Sequence, residues 1–153
     1  MSTVDKPRPL PIEPTRPFWD ALAQHRITIP RCDRCGTWVW YPRPRCPGCL
    51  SNELTWTPVT GAGTVHTSTV TRQPIHPAFA DETPQVQAIV ELDVGVRMTT
   101  TLVDVEPRVV EVGTAVEPVF DDGPDGITLL RFRPVRRATD PSVSAGPPSP
   151  GRR

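Results

Sequence analysis

The stretch "CDRCGTWVWYPRPRCPGC", residues 32–49, holds all four cysteines of a 153-residue chain and, between them, two of its four Trp and its one Tyr. Each Cys-x2-Cys pair, Cys32 with Cys35 and Cys46 with Cys49, lets the backbone turn so that both sulfurs point at one ion. Gly36 after the first pair and Pro47-Gly48 inside the second supply the residues that such turns need. Four thiolates at ~2.3 Å complete a tetrahedron, which makes Cys32, Cys35, Cys46 and Cys49 the candidate ligands of a structural zinc. Iron accepts the same four-thiolate set, so spacing alone leaves the metal open.

The residues between the knuckles, "GTWVWYPRPR", must run out and back, with "WVWY" 38–41 as one strand of the excursion. A ribbon this small has almost no core of its own and needs its aromatics as cover. At period two, Trp38 and Trp40 share one face and Val39 and Tyr41 the other. Both faces are apolar, so one is expected to meet the rest of the chain. The other is open to a partner, and across the ribbon Trp38, Trp40, Tyr41, Arg43 and Arg45 are the candidate partner-binding residues. Charge follows the same division. Arg26, Arg31, Arg34, Arg43 and Arg45 stand against Asp33 over 26–45, while 81–126 is acidic apart from Arg97 and Arg108. A basic front and an acidic back suit oriented docking, or simply two solvated faces.

Upstream, "PTRPFWDALAQH" reads as a short helix, with Thr15 as cap, Pro17 and Asp20 near its start and Phe18, Trp19 and Leu22 in one stripe. "RITIPRC" follows as an edge strand with Ile27 and Ile29 inward, since Pro30 suits only an edge. After a return strand over 53–58, five strands are expected at 64–72, 85–92, 96–103, 115–120 and 127–133. "DVG" 93–95 and "DDGPDG" 121–126 carry the Gly and Asp of hairpin turns, and "GAG" 61–63 is a kink at the start. The expected fold is mainly β: a short N-terminal helix, a rubredoxin-like four-cysteine zinc ribbon and a five-stranded OB-fold barrel. The division is 1–14 an extended arm, 15–59 helix plus ribbon, 60–137 barrel and 138–153 a disordered tail.

The chain has no stretch near the ~20 apolar residues of a membrane helix, and its first residues lack the apolar core of a signal peptide. A cytoplasmic location is expected, and with it a metal site rather than disulfides. Independent catalysis is not expected: the metal consumes the only thiols, a closed four-thiolate site has no open position, and His25, His66 and His76 sit in no nucleophile or metal motif. A zinc ribbon plus OB barrel is also a nucleic-acid architecture. Against it, 64–103 has no aromatic except Phe79, and the barrel is acidic rather than basic.

The order of parts, "FWDAL", then "CGTWVWYPRPRCPGC", "GAGTVHTSTVTR", "AIVELDVGVRMTTTLVD" and "VGTAVEPVF", resembles the OB-fold, acyl-CoA-associated zinc-ribbon family known as domain-of-unknown-function family thirty-five. The resemblance covers about residues 15–136. It implies a small subunit that binds a thiolase-fold enzyme, such as an acyltransferase, an acetoacetyl-CoA thiolase or a steroid side-chain retro-aldolase, and helps hold acyl-CoA there. It also implies Cys32, Cys35, Cys46 and Cys49 as metal ligands. The longest loop, "QPIHPAFADETP" 73–84, is the candidate ligand contact. Ile75, His76 and Phe79 would line a thioester or pantetheine channel and Arg72 would meet phosphate, unless the loop merely plugs the barrel. A purely structural adaptor shares every one of these features.

Overall fold

The computed structural model describes residues 6–135; the expected tail 138–153 and the start of the expected arm lie outside the described residues. A 3-10 turn, Glu13–Thr15, leads into α1, Arg16–Leu22. Pro17 stands in the first turn of α1 as expected, whereas Thr15 caps differently. Its buried hydroxyl donates to the Ile12 carbonyl (3.1 Å) and accepts from the Ile12 amide (3.2 Å), which closes the 3-10 turn. Phe18, Ala21 and Leu22 form the buried face of α1.

β1, Ile27–Cys32, pairs antiparallel with β2, Leu54–Val59, from Ile27 opposite Val59 to Cys32 opposite Leu54. Ile27 and Ile29 are both buried, and Pro30 lies in this two-stranded sheet opposite Trp56. The ribbon excursion differs from the strand expected at 38–41. Only one bridge forms, Arg31 to Trp38, beside an amide bond from Val39 to the Pro30 carbonyl (2.8 Å). The segment then leaves β1, and the alternation of faces ends: Val39 is fully buried while Tyr41 is 45% exposed.

The barrel is β3 Gly63–Thr71, β4 Gln85–Leu92, β5 Arg97–Leu102, β6 Ala115–Asp122 and β7 Thr128–Pro134, closed in the order β3-β4-β5-β7-β6. Closure occurs at Gly63, which faces Leu92 on β4 and Val116 on β6. A Cβ there would lie 2.4 Å from the Glu91 carbonyl oxygen, so only glycine lets β3 run this close to β4. β4 shows the alternation of a strand with one face in a core, burying Val86, Ala88, Val90 and Leu92. Val65, Val116, Met98, Leu102 and Phe132 complete that core, and it is continuous with Phe18, Leu22, Ile27 and Ile29. Helix and ribbon are therefore packed onto the barrel rather than tethered beside it. β6 extends through Asp121 and Asp122, which were expected in the turn, because Arg131 and Thr128 hold their carboxylates across the hairpin (2.6 and 2.7 Å).

Candidate functional site

The four cysteines converge. Their sulfurs all lie within 4.8 Å of one another, with Cys32 to Cys49 at 3.6 Å and Cys35 to Cys46 at 3.5 Å. These separations are far beyond the ~2.05 Å of a disulfide. They lie near the ~3.8 Å edge of a tetrahedron with ~2.3 Å metal–sulfur bonds. Both knuckles are built alike. The amide of Gly36 donates to the Cys32 carbonyl (2.8 Å) and that of Leu50 to the Cys46 carbonyl (2.9 Å), each residue in the left-handed region at φ 73° and 60°. The Gly48 amide donates to the Cys46 sulfur (3.3 Å).

As four acids in one place, the thiols compete. Cys35 is lowered to about 6, chiefly by the Thr37 hydroxyl 3.1 Å away, then by the Thr37 backbone and the Cys46 and Cys49 sulfurs. Cys49 is raised to about 12, the favourable Ser51 backbone contact being outweighed by the Cys35 sulfur, burial, and the Cys32 and Cys46 sulfurs. A cation that takes all four as thiolates ends this competition, so the donor set fits a bound metal ion.

A second feature adjoins the ribbon. A cleft of about 540 Å³ opens where α1, the ribbon, the 73–84 loop and strands β5 and β7 meet. Phe18, Trp19, Leu22 and Trp40 form its ribbon side, and Met98, Leu130 and Phe132 its floor. Trp40 meets Phe18 edge to face at 5.2 Å and Tyr41 at 5.2 Å, so three aromatic rings share one wall. The 73–84 loop is ordered by a 3-10 helix, Pro77–Glu82, which was not foreseen as an element. His76 starts it, accepting the Ala78 amide on Nδ1 (3.2 Å).

The structure brings some sequence candidates together and separates others. Trp40, Tyr41, Ile75, His76 and Phe79 all line the cleft, with Ile75 87% exposed. Arg72 is exposed beyond the end of β3 and is not part of that lining. Trp38 lies elsewhere, under the Arg31 guanidinium at 5.3 Å. Arg43 and Arg45 are exposed on the ribbon and donate to the carbonyls of Tyr41 and Leu50. Glu82 and Arg131 at the cleft were missed. Arg131 bonds Asp121 at 2.6 Å and lies 4.0 Å from Glu82. Glu82 is held below the usual carboxylate range by Lys6 first, with Arg131 and Gln85 adding to the effect against burial. The alternation of β7 carried the one available signal, since Arg131 and Arg133 take turns with buried Phe132.

A four-cysteine ribbon packed on a closed OB barrel defines the class of zinc-ribbon OB-fold proteins. Residues 19–55 match the family described as ChsH2, rubredoxin-like zinc ribbon domain, and residues 56–121 that described as ChsH2, C-terminal OB-fold domain. A DUF35 domain-containing scaffold protein of Methanothermobacter thermautotrophicus is 34% identical over 121 residues, 75% of this chain and 90% of that protein. The chain belongs to the DUF35 family. A probable enoyl-CoA hydratase alpha subunit of Thermomonospora curvata is 38% identical over 131 residues, 85% of this chain, but the chain spans only 40% of that relative's length. Among solved structures, a chain of the Ltp2-ChsH2(DUF35) aldolase superposes with a TM-score of 0.76 at 36% identity, covering 83% of this chain and 98% of that one. A DUF35 protein of Sulfolobus solfataricus shares the fold, with a TM-score of 0.57 at 16% identity over 80% of this chain and 86% of its own. Among the described residues no helix is long and apolar enough to cross a membrane.

Proposed function

We propose that this chain is an accessory subunit without chemistry of its own, which seats on a thiolase-fold enzyme and helps position an acyl-CoA substrate at that partner's active site. The carrying observation is the aromatic cleft, where Trp40 and Tyr41 of the ribbon meet Ile75, His76 and Phe79 of the loop. It has the size and apolar character of a small-molecule site but no nucleophile paired with a base. The likeness to a subunit of an aldolase complex and to proteins described as scaffolds supports the same role. A retro-aldolase or an acyltransferase is the natural setting for such a partner.

Cys32, Cys35, Cys46 and Cys49 would hold zinc, which supplies a structural cross-link and no open position for substrate. The ribbon depends on that cross-link because Val39 and Pro42 are the only buried residues between the knuckles. Elemental analysis of untagged protein should give one zinc per chain; iron in its place would overturn the assignment. A nucleic-acid role finds little support, because apart from the fully buried Phe132 the cleft's aromatics come from helix, ribbon and loop rather than from the barrel strands that stack bases. Turnover measured for the chain alone, the partner alone and the complex tests the function. The complex should be the most active and the chain alone inert, and acyl-CoA turnover by the chain alone would overturn the reading.

A further inference from the structure

We infer that Lys6–Arg8 is a displaceable strap on the aromatic cleft, held by an ion pair at each end and moved aside when an uncharged apolar ligand enters. This goes beyond the accessory role and does not depend on it.

Three consecutive residues make three different contacts around one opening. Lys6 pairs with Glu82 at the end of the 3-10 helix and sits 5.8 Å from the centre of the Phe79 ring. Pro7 is itself part of the cleft wall. Arg8 pairs with Asp125 in the β6–β7 hairpin. Gly123 lies under this contact: a Cβ there would stand 2.7 Å from the Arg8 guanidinium, although the Ile127 carbonyl oxygen at 2.8 Å already requires glycine. The strap is thus seated at both ends, with its middle residue against the ligand space.

Both latches are weak by construction. Lys6, Arg8 and Asp125 are more than a third exposed, and ion pairs of that kind are worth little and are screened by salt. Release leaves no carboxylate stranded. Glu82 keeps the Gln85 amide, which donates at 2.9 Å, and Arg131 at 4.0 Å, while Asp125 returns to water. A proline between the two latches limits the conformational freedom gained on release and favours return.

The class of ligand follows from the lining. The charged side chains of the cleft are Glu82 and Arg131, and each stays engaged after the strap leaves, Arg131 with Asp121 and Glu82 with Gln85 and Arg131. The remaining wall is mainly aromatic and aliphatic, with Thr71, His76, Gln85, Gln87 and the Thr99–Thr101 run as its polar fringe. An uncharged apolar group satisfies this site, whereas an anion would find no free cation within it among the described residues.

The test uses the metal-loaded full chain, with no partner, and the uncharged dye Nile red followed by fluorescence. Removing both latches in Lys6→Ala/Arg8→Ala should tighten dye binding about three- to tenfold at low salt, the range two exposed ion pairs can supply. Wild type should bind more tightly as salt rises, and the double variant should lose that dependence. Arg8→Asp alone should open the strap, and adding Asp125→Arg should restore wild-type affinity. Thr99→Trp, which plugs the cleft from β5, should abolish binding in every background. Weaker or unchanged binding after latch removal would make the strap a fixed wall and overturn the inference. So would dye binding indifferent to Thr99→Trp, or no binding by any variant.

Discussion

Gly63→Ala adds a single methyl group at the point where the barrel closes. Its Cβ would stand 2.4 Å from the Glu91 carbonyl oxygen and 3.1 Å from both the Glu91 carbonyl carbon and the Leu92 Cα. Carbon–oxygen contacts between strands settle at ~3.3–3.6 Å, so β3 and β4 must separate by about 1 Å. They cannot do so freely, because β3 is held at the same residue by Val116 on the other side. Overpacking costs ~1–3 kcal/mol where side chains can yield, and here the obstacle is backbone. Loss of glycine's freedom in the unfolded chain offsets only ~0.4–1 kcal/mol. With the backbone obstacle placing the cost at the upper end of the overpacking range, the expected net destabilisation is about 2 kcal/mol. Gly95→Ala is the control: unlike Gly63 it has a positive φ, 81°, and nothing lies within 4 Å, so only the left-handed conformation is penalised, at ~1 kcal/mol. Urea unfolding of metal-loaded protein, followed by circular dichroism and tryptophan fluorescence, separates the two. A Gly63→Ala variant as stable as Gly95→Ala would refute the close-approach reasoning.

Other outcomes are equally specific. Leu50 is 68% exposed and occupies the left-handed position that Gly36 fills in the sister knuckle, so Leu50→Gly should stabilise the metal-loaded protein by ~1 kcal/mol, read by the same unfolding curves. Asp122 is held below the usual carboxylate range by Thr128 first and then His25. Its stabilisation is therefore present above the ordinary carboxylate pKa and lost as pH falls through the depressed folded value. Asp122→Asn should be the less stable protein at neutral pH, with the gap closing in acid; a gap independent of pH would contradict this. In the reconstituted complex, Phe79→Ala should lower acyl-CoA turnover several-fold while Arg72→Ala leaves it near wild type, because only Phe79 lines the cleft.

Much of the barrel is legible in the sequence because its strands obey period two. The expected 85–92 coincides with β4, where Val86, Ala88, Val90 and Leu92 point inward, and β3, β5 and β7 begin within a residue of expectation. The convergence of the four cysteines is legible because knuckle spacing is local chemistry. The ribbon aromatics were harder. Trp38, Val39, Trp40 and Tyr41 have strand propensity, but only one bridge to β1 forms, and Trp40 is held by Phe18 of the helix, 22 residues away in sequence. Loop 73–84 stands out as a candidate ligand contact by its length and apolar residues, yet its 3-10 helix depends on His76 capping Ala78, a bond that periodicity does not encode. The cleft itself joins residues from Pro7 to Phe132, so it exists only after folding.

The proposed accessory role is tested most directly by calorimetric titration of an acyl-CoA into the proposed thiolase-fold partner, first alone and then saturated with the metal-loaded chain. A subunit that helps position substrate should tighten acyl-CoA binding by about tenfold or more, the size of an ordinary coupling between sites, and Phe79→Ala should remove most of that gain while the complex stays assembled. Equal affinity with and without the chain, in a complex that forms normally, would contradict the positioning role and leave a structural adaptor.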